Sequence, residues 1–392
     1  MRTMHCHPER SRRISLLPLL VLLSLTACRI DPPLHLRRAV DVEVELDAQV
    51  DIEMMWQIDW EAEWEYSWNV ETYGPLGYEM PASMRVHTYT HDADGELAAH
   101  QIHNFAGQES RIQLTAGTYD FLFHNNDSEA ILFEADGEFG DVIAYTRDIS
   151  TGLQPSSLVR TMRQKGAPVP AARAATKTEG TRAFDDEPVV LMPDCLYSLY
   201  SENEIITDNL EDYEYINGRY VYRIHGDMHP SSFIYLIQVR LLNNNGRVVG
   251  SAGGAAITGM ARSVDLRDNM TSTQSVCVPM DVRIDKATDP DLMGARVITF
   301  GIPGCNPYDD ASVAASRSEH YLVLSVAYRD GGYKNIHIDI TDLLRELPTG
   351  GVISMELDVD DFPPEEGEKG EGGFDALIGG WEEQTGSHTV VN

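Results

Sequence analysis

The stretch VDVEVELDAQVDIEMMWQIDWEAEWEYSWNV, residues 40–70, decides the fold class of this chain. Every even-numbered residue in it is apolar, and nearly every odd-numbered residue is acidic or polar. A strict period of two is typical of an extended chain with one buried face and one solvated face. The stretch is far longer than a usual strand of roughly 5–6 residues, so we expect a break near Ala48 and Gln49. It therefore predicts β structure.

The rest of the chain repeats this alternation in shorter segments that are separated by turn residues. Alternating apolar residues recur at 84–88, 112–114, 119–123, 233–241, 276–284, 322–328 and 336–340. Turn sequences follow several of them, such as Asp94-Gly95 and the run 243–246. Many short alternating strands joined by turns are typical of β-sandwiches, and no βαβ alternation is present. We predict an all-β protein.

A change of composition divides the chain into two halves. Six basic residues and one acidic residue lie between 158 and 182, in an otherwise acidic chain. Such an apolar-poor segment, rich in Ala, Pro, Gly and Thr, is typical of an exposed linker. The predicted organisation is a signal peptide (1–27), an N-terminal β-sandwich domain (28–157), a basic flexible linker (158–184), a C-terminal β-sandwich domain (185–361), and an acidic, Gly-rich tail with a short apolar patch (362–392).

The N-terminal segment is typical of a bacterial lipoprotein signal. Residues 14–27 are largely apolar, follow a cluster of arginines, and end in Leu25-Thr26-Ala27-Cys28, small residues before a thiol that can accept a lipid. The run is shorter than the roughly 20 residues of a transmembrane helix. An ordinary secretory signal with an incidental cysteine is an alternative, and Ser11-Arg12-Arg13 partly matches a twin-arginine signal. We predict lipid attachment at Cys28.

The charge of the chain limits its partners. It has 62 acidic and 30 basic residues, a formal net charge of −32. Nucleic acids are bound by clustered Lys and Arg, so this balance excludes them as natural partners. Anionic lipid headgroups are repelled for the same reason, and membrane association is expected to come from the lipid on Cys28.

Residues that could carry chemistry form no recognisable site. The sequence lacks metalloprotease, serine-hydrolase, P-loop and dinucleotide motifs. On β or turn backbone, the spacings of the pairs His100/His103 and His225/His229 do not place both imidazoles on one side as a helix would. Residues 92–96 (Asp-Ala-Asp-Gly-Glu) begin like a calcium loop but lack its later ligands, and predict a hairpin turn. We predict no enzyme activity, no cofactor and no metal.

Three cysteines follow Cys28 in the sequence, namely Cys195, Cys277 and Cys305. Their spacings match no zinc pattern. Outside the cytoplasm, two of the three could form a disulfide while the third remains a thiol, and the sequence does not indicate which two. We expect all three cysteines to be structural.

Trp56, Trp60, Trp64 and Trp68 form a regularly spaced aromatic row. Flat aromatic faces bind sugars, so the row could be a glycan platform. However, the tryptophans share their parity with aliphatic residues, and the opposite parity carries Glu61, Glu63 and Glu65. This arrangement favours a core position.

Several features together resemble one family. These are the lipobox at Cys28, Pro32-Pro33-Leu34-His35-Leu36, the tryptophan row, 73–78 (Tyr-Gly-Pro-Leu-Gly-Tyr), and Gly372-Gly373-Phe374 with Trp381. They are similar to uncharacterised Bacteroidales lipoproteins related to the fimbrillin-associated anchor proteins of type V fimbriae. The resemblance implies two tandem transthyretin-like β-sandwich domains, display at the outer membrane through the lipid, and a role in anchoring or ending a pilus. Only Cys28 is carried over as a functional residue.

Two functions follow as hypotheses. The first is a non-enzymatic outer-membrane lipoprotein for fimbrial assembly or anchoring, which pairs a sandwich edge with a fimbrial subunit or other surface protein. The alternative is a surface lipoprotein that binds a glycan or a host ligand through loops or aromatic residues such as Trp381. Both place the chain on the outer membrane, at the cell surface, with the periplasmic face as an alternative orientation.

Overall fold

The computed structural model describes residues 39–47, 68–106, 109–135, 142–149, 167–168 and 187–363. The strands in chain order are β1 (Ala39–Asp47), β2 (Ser83–His91), β3 (Leu97–Ala106), β4 (Glu109–Thr115), β5 (Gly117–Asn125), β6 (Ile131–Ala135), β7 (Val142–Thr146), β8 (Ala167–Pro168), β9 (Tyr197–Ile206), β10 (Glu214–Ile216), β11 (Arg219–Asp227), β12 (His229–Pro230), β13 (Phe233–Leu242), β14 (Val248–Ala261), β15 (Ser263–Asp265), β16 (Ser275–Met280), β17 (Arg283–Ile284), β18 (Leu292–Thr299), β19 (Tyr321–Tyr328), β20 (Tyr333–Asp339) and β21 (Gly351–Asp358). The short helices are α1 (Val70–Tyr73), α2 (Asp310–Ala315) and α3 (Thr341–Glu346), with 3₁₀ turns at Leu210–Asp212 and Val359–Asp361. The predicted all-β fold class is confirmed.

The first sandwich packs two sheets around one core. One sheet has the order β10-β11-β1-β4, and the other has the order β12-β9-β5-β2-β3. Their buried apolar residues form one cluster, which includes Met84, Val86, Phe121, Phe123 and Ile224. The alternation along β2 and β5 places these residues on one face of each strand, as the sequence pattern predicted.

Strand β1 is a central strand of the first sandwich. It pairs in parallel with β11, from Asp41 opposite Val221 to Asp47 opposite Asp227. On its other side it pairs antiparallel with β4, so that Val42 lies opposite Ile112. The described part of the strand reaches Asp47. Residues 48–67, with the predicted break at Ala48 and Gln49 and three of the four tryptophans of the row, lie outside the described residues.

The end of the alternating stretch is helical, which corrects the prediction of extended chain as far as Val70. The carboxamide oxygen of Asn69 accepts hydrogen bonds from the backbone N–H groups of Glu71 and Thr72. This N-cap starts the turn α1, which ends at Gly74 with a φ of 94°. Local capping therefore overrides the two-residue period here, and Val70 is 57% exposed.

The second sandwich packs the sheet β17-β18-β13-β21 against the sheet β16-β14-β19-β20-β8. Strands β13 and β21 are parallel neighbours in the first of these sheets. Apolar residues of both sheets form the largest core cluster, with Tyr235, Ile257, Leu324 and Ile353 at 0% exposure. A small sheet, β15-β7-β6, packs Ile131 and other apolar residues onto the outer face of β2 and β5.

The first sandwich contains chain from both sides of the predicted linker. Strand β5 pairs with β9, from Gly117 opposite Ile206 to His124 opposite Ser198. Strands β10 and β11 belong to the same sandwich. The N-terminal domain therefore does not end at residue 157 as predicted, because strands from 197–230 complete both of its sheets. Of the linker, only Ala167–Pro168 lies within the described residues.

The three cysteines of the described chain are buried and form no disulfide with one another. Burial raises the pKa of Cys195, Cys277 and Cys305 above the usual value of a thiol. Thiols in such surroundings are inert packing residues. None of the possible disulfide pairings is formed among them.

Candidate functional site: an open sheet edge

Strand β3 forms an open edge of the first sandwich. It is 10 residues long and pairs with β2 on one side, and no other strand of the described chain pairs with its second side. Most of its residues are exposed to solvent, including the apolar side chains of Leu97 (38%) and Ile102 (49%). Among the described residues, the backbone N–H and C=O groups along this side have no partner strand.

The sequence of β3, LAAHQIHNFA, contains no Asp, Glu, Lys, Arg or Pro. Charged residues, prolines, bulges and short length are the usual means by which proteins prevent edge strands from pairing with other chains. An uncharged run of this length is unusual on a chain with a formal net charge of −32. Strand β3 lacks this protection.

The opposite edge of the same sheet, formed by the short strand β12 and by the part of β9 that β12 does not cover, is protected. Strand β9 carries Glu202 and Glu204 around Asn203, whose φ of 59° breaks the regular strand, and its register with β5 shifts at this point. Every other edge strand of the described chain has a charge, a proline or minimal length: Glu109 and Arg111 in β4, Glu134 in β6, Glu214 in β10, Asp265 in β15, Pro279 in β16, Arg283 in β17, Glu356 and Asp358 in β21, and two-residue strands ending in proline for β8 and β12. Strand β3 is the exception.

A row of three imidazoles connects the open edge to the interior of the sheet. His87 Nδ1 lies 3.1 Å from His100 Nε2, and His87 Nε2 lies 3.2 Å from His124 Nε2. The three residues belong to β2, β3 and β5, so the row crosses the sheet on the face opposite the core. His124 is fully buried and its ring packs against Phe133 of the small sheet, 4.3 Å between centroids.

The hydrogen bonds of the row fix the tautomer of each histidine. His124 Nδ1 lies 2.8 Å from the carbonyl oxygen of Asn125, so this nitrogen donates. Because burial favours the neutral ring, His124 Nε2 is left to accept. His87 Nε2 must then donate, and His87 Nδ1 must accept from His100 Nε2. All three rings are neutral in this arrangement, which keeps the edge strand uncharged.

Burial disfavours the charged form of these histidines. It lowers the pKa of His87 to about 3, with the neighbouring His124 and His100 as lesser causes, and the pKa of His124 to about 4. Burial also lowers the pKa of His100 and of His103 below the usual value. The physical cause is desolvation of the imidazolium ion.

Acidification should therefore destabilise the first sandwich. The folded pKa values of His87 and His124 lie below the unfolded value of 6.5, so the folded state binds fewer protons. The stabilisation is complete above about pH 6.5 and is lost as the pH falls toward about 4, by up to about 1.4 kcal/mol per pH unit for each proton. We expect the melting temperature, followed by circular dichroism, to decline over this range.

A matched pair of variants tests the origin of that decline. His87→Gln should reduce the stability at pH 8 and flatten its dependence on pH, because one buried titrating group is removed. His229→Gln, at an exposed position, should leave the dependence unchanged. Equal pH profiles for both variants would contradict the assignment to the histidine row.

Only some of the residues for which the sequence predicted a function lie within the described part of the structure. Cys28, the tryptophans of the row other than Trp68, and Trp381 lie outside the described residues. Lipid attachment and the glycan alternative therefore stay predictions. Trp68 is partly buried, and its indole N–H donates to the carbonyl oxygen of Gly74 at 2.9 Å.

The pair His100/His103 and the acidic residues 92–96 are placed in the structure as the sequence predicted. His100 lies opposite Tyr89, and His103 opposite Val86, so the two imidazoles are on different faces of β3. Residues 92–96 form a tight turn between β2 and β3, in which Asp92 Oδ1 accepts the N–H groups of Asp94 and Glu96. Within the described ranges, no three His, Cys, Asp or Glu side chains are grouped so as to hold a metal ion.

The sequence did not lead us to predict the open edge at β3 or the row of three histidines next to it. The absence of charge over 97–106 was a visible signal, but the position of a strand at an edge follows from its partners and not from its own residues.

Among the described residues, no helix has the length and apolar character needed to cross a membrane.

Comparison with known proteins gives a family and a set of similar folds. The family model DUF5119, described as a domain of unknown function, matches residues 72–281, more than half of the chain. Among curated protein sequences, none matches this chain significantly.

Several solved structures are similar to the chain over most of their length. A candidate adhesin from Bacteroides ovatus has 16% identity and a TM-score of 0.46, with 83% of this chain and 91% of that chain covered. A candidate adhesin from Bacteroides thetaiotaomicron has 12% identity and a TM-score of 0.41 (83% and 94% covered). The fimbrial anchor protein from Porphyromonas gingivalis has 13% identity and a TM-score of 0.39 (82% and 91% covered). A fimbrial anchor protein is thus among the similar structures.

Proposed function

The chain belongs to the DUF5119 family, a domain of unknown function, and we propose that it is a non-enzymatic surface protein for adhesion or fimbrial assembly that binds a partner subunit by strand pairing at β3. The observation that carries this proposal is the unprotected edge of the first sandwich. In β-augmentation, main-chain hydrogen bonds supply affinity, and alternate side chains supply specificity. Ten residues, a length of about 33 Å, offer a full strand for this purpose.

The side chains of β3 suit such a partner. His100 and Ile102 alternate along the strand with Gln101 and His103, so an added strand would meet apolar and neutral polar groups on both faces. Because no charge must be desolvated along the strand, pairing there has a low electrostatic cost. These features support strand pairing over recognition by loops.

The membrane attachment completes the proposal. An acyl group on Cys28 would hold the first sandwich at the outer membrane, because only ten residues separate Cys28 from β1 and they reach at most about 36 Å. The open edge would then lie close to the cell surface. The partner in this proposal is a fimbrial subunit or another surface protein.

A substitution on the edge tests the function. Ile102→Lys places a charge in the middle of β3, where it should weaken partner binding at least about tenfold because the lysine must be desolvated or displaced on pairing. Ile205→Lys is the matched control, since Ile205 is 62% exposed on the protected opposite edge. The measurement is co-purification of partner proteins from the outer-membrane fraction of the native host.

We expect the control to retain the partner and both variants to keep the unfolding free energy within about 0.5 kcal/mol of the original, as for other surface changes. Equal recovery of the partner with both variants would contradict pairing at β3. Failure of the original chain to recover any surface or fimbrial protein would also contradict the proposed function.

A further inference from the structure

The two ends of the open edge differ in charge. At the Leu97 end, the turn contains three exposed acidic residues, Asp92, Asp94 and Glu96. The hydrogen bonds from the N–H groups of Asp94 and Glu96 to Asp92 Oδ1, 2.9 and 3.0 Å long, hold this turn in place. The acidic group is therefore a fixed feature at the start of β3.

At the other end of β3, the residues Arg85 and Asp127 have opposite charges. The guanidinium group of Arg85 donates from Nε to Asn104 Oδ1 at 2.8 Å. Asp127, on the loop after β5, accepts the N–H group of Ala82 beside the same end of the sheet. The three acidic residues of the turn thus give the Leu97 end more negative charge than Arg85 and Asp127 together give the Asn104 end.

This polarity distinguishes the ends of an incoming strand. Neighbours of β3 and β2 in this sheet are antiparallel, and antiparallel pairing is the more stable arrangement per residue. An added antiparallel strand would place its C-terminal end beside Leu97 and the acidic turn. Basic residues at that end are attracted, and acidic residues are repelled.

We propose that β3 accepts, in antiparallel orientation, a strand from a different protein that is uncharged over about eight residues and is followed directly by Lys or Arg. This inference rests on the proposed function and specifies its partner. The uncharged part of the partner matches the uncharged run of β3, and its basic end matches the acidic turn at 92–96.

Pairing of β3 with the same strand of a second copy does not fit the edge. Each copy has a formal net charge of −32, so two copies repel each other as they approach. Neither end of LAAHQIHNFA supplies a basic residue directly after the strand. A strand with a basic end is attracted by the same field that opposes self-association.

Synthetic peptides test the inference on the mature chain. Three peptides share one uncharged, alternating eight-residue strand and end in Lys-Lys, in Glu-Glu, or in two uncharged residues. Fluorescence anisotropy gives their affinities up to about 1 mM peptide. We expect the Lys-Lys peptide to bind at least about fivefold more tightly than the Glu-Glu peptide at about 20 mM salt, and the difference to shrink at about 300 mM salt.

Charge-neutralising variants locate the effect. The double change Asp94→Asn with Glu96→Gln should reduce the preference for Lys-Lys to less than about twofold. Asp92 is kept because its carboxylate holds the turn. Asp208→Asn with Glu211→Gln is the matched control, at exposed positions that follow β9, three strands from β3 in the same sheet, and should keep the preference.

The outcomes separate this inference from the proposed function. Equal binding of the Lys-Lys and Glu-Glu peptides, abolished by Ile102→Lys, would overturn the basic end while strand pairing stands. Binding of none of the three peptides would overturn pairing at β3 itself. Sedimentation of the chain as a dimer that Ile102→Lys dissociates would overturn the choice of a different protein as partner.

Discussion

A chain that begins at residue 48 should fail to fold its first sandwich, whereas a chain that begins at residue 39 should fold it. Strand β1 forms seven residue pairs with β11 and seven with β4, and its loss separates these two strands. The cost should exceed the whole stability of the sandwich, which is about 5–15 kcal/mol for a domain of ordinary size. This is the largest effect that we expect from any single change.

Hydrogen exchange measures that effect in each sandwich separately. In the shorter chain, the amides of β5 should lose protection, while those of β13 in the second sandwich should keep it. A peptide of residues 39–47 added in excess should restore part of the protection of β5, because it carries the missing pairing groups. Full protection of β5 without β1 and without peptide would contradict a central role for this strand.

The second large effect is expected at Gly350, which lies between α3 and β21. Its φ of 94° is a conformation that other L-residues rarely adopt, and a Cβ there would collide with the backbone carbonyl of Ile234 in β13. Backbone atoms cannot move aside as a flexible side chain can. Gly350→Ala should therefore destabilise the second sandwich by about 3 kcal/mol or more.

Gly331 provides the control for this change. Its φ is 87°, and nothing lies within 4 Å of the position of an added Cβ. Gly331→Ala should cost only about 1 kcal/mol, from the conformation alone. Denaturant unfolding gives both values, and similar destabilisation by the two variants would show that the contact with Ile234 adds nothing.

Alternation of side chains was sufficient to predict the strands of both cores. Phe121 and Phe123, like Val239 and Leu241, lie on single faces that the two-residue period identifies without further information. The prediction was wrong where local hydrogen bonding competes with the period. At Asn69 a side chain caps a helical turn, and the extended chain ends there.

The partners of the strands could not be predicted in the same way. Strand β9 lies beyond the basic segment, yet it pairs with β5, because pairing depends on the complementarity of distant strands. The histidine row has the same origin, since His87, His100 and His124 approach one another only through the register of three strands. The spacing of residues within one strand therefore does not predict this row of histidines.

The parallel pairing of β1 with β11 has a consequence for the order of folding. The two strands are separated by more than 170 residues, so the first sheet of the chain can close only after residue 227 has been synthesised. Until then β1 can pair with β4 alone, and one of its sides stays exposed on the growing chain. Contacts of such high sequence separation form slowly. The first sandwich should therefore mature only after β11 has been made, although its first strand is made earliest, and a nascent chain stalled before β11 should be open to proteolysis at β1.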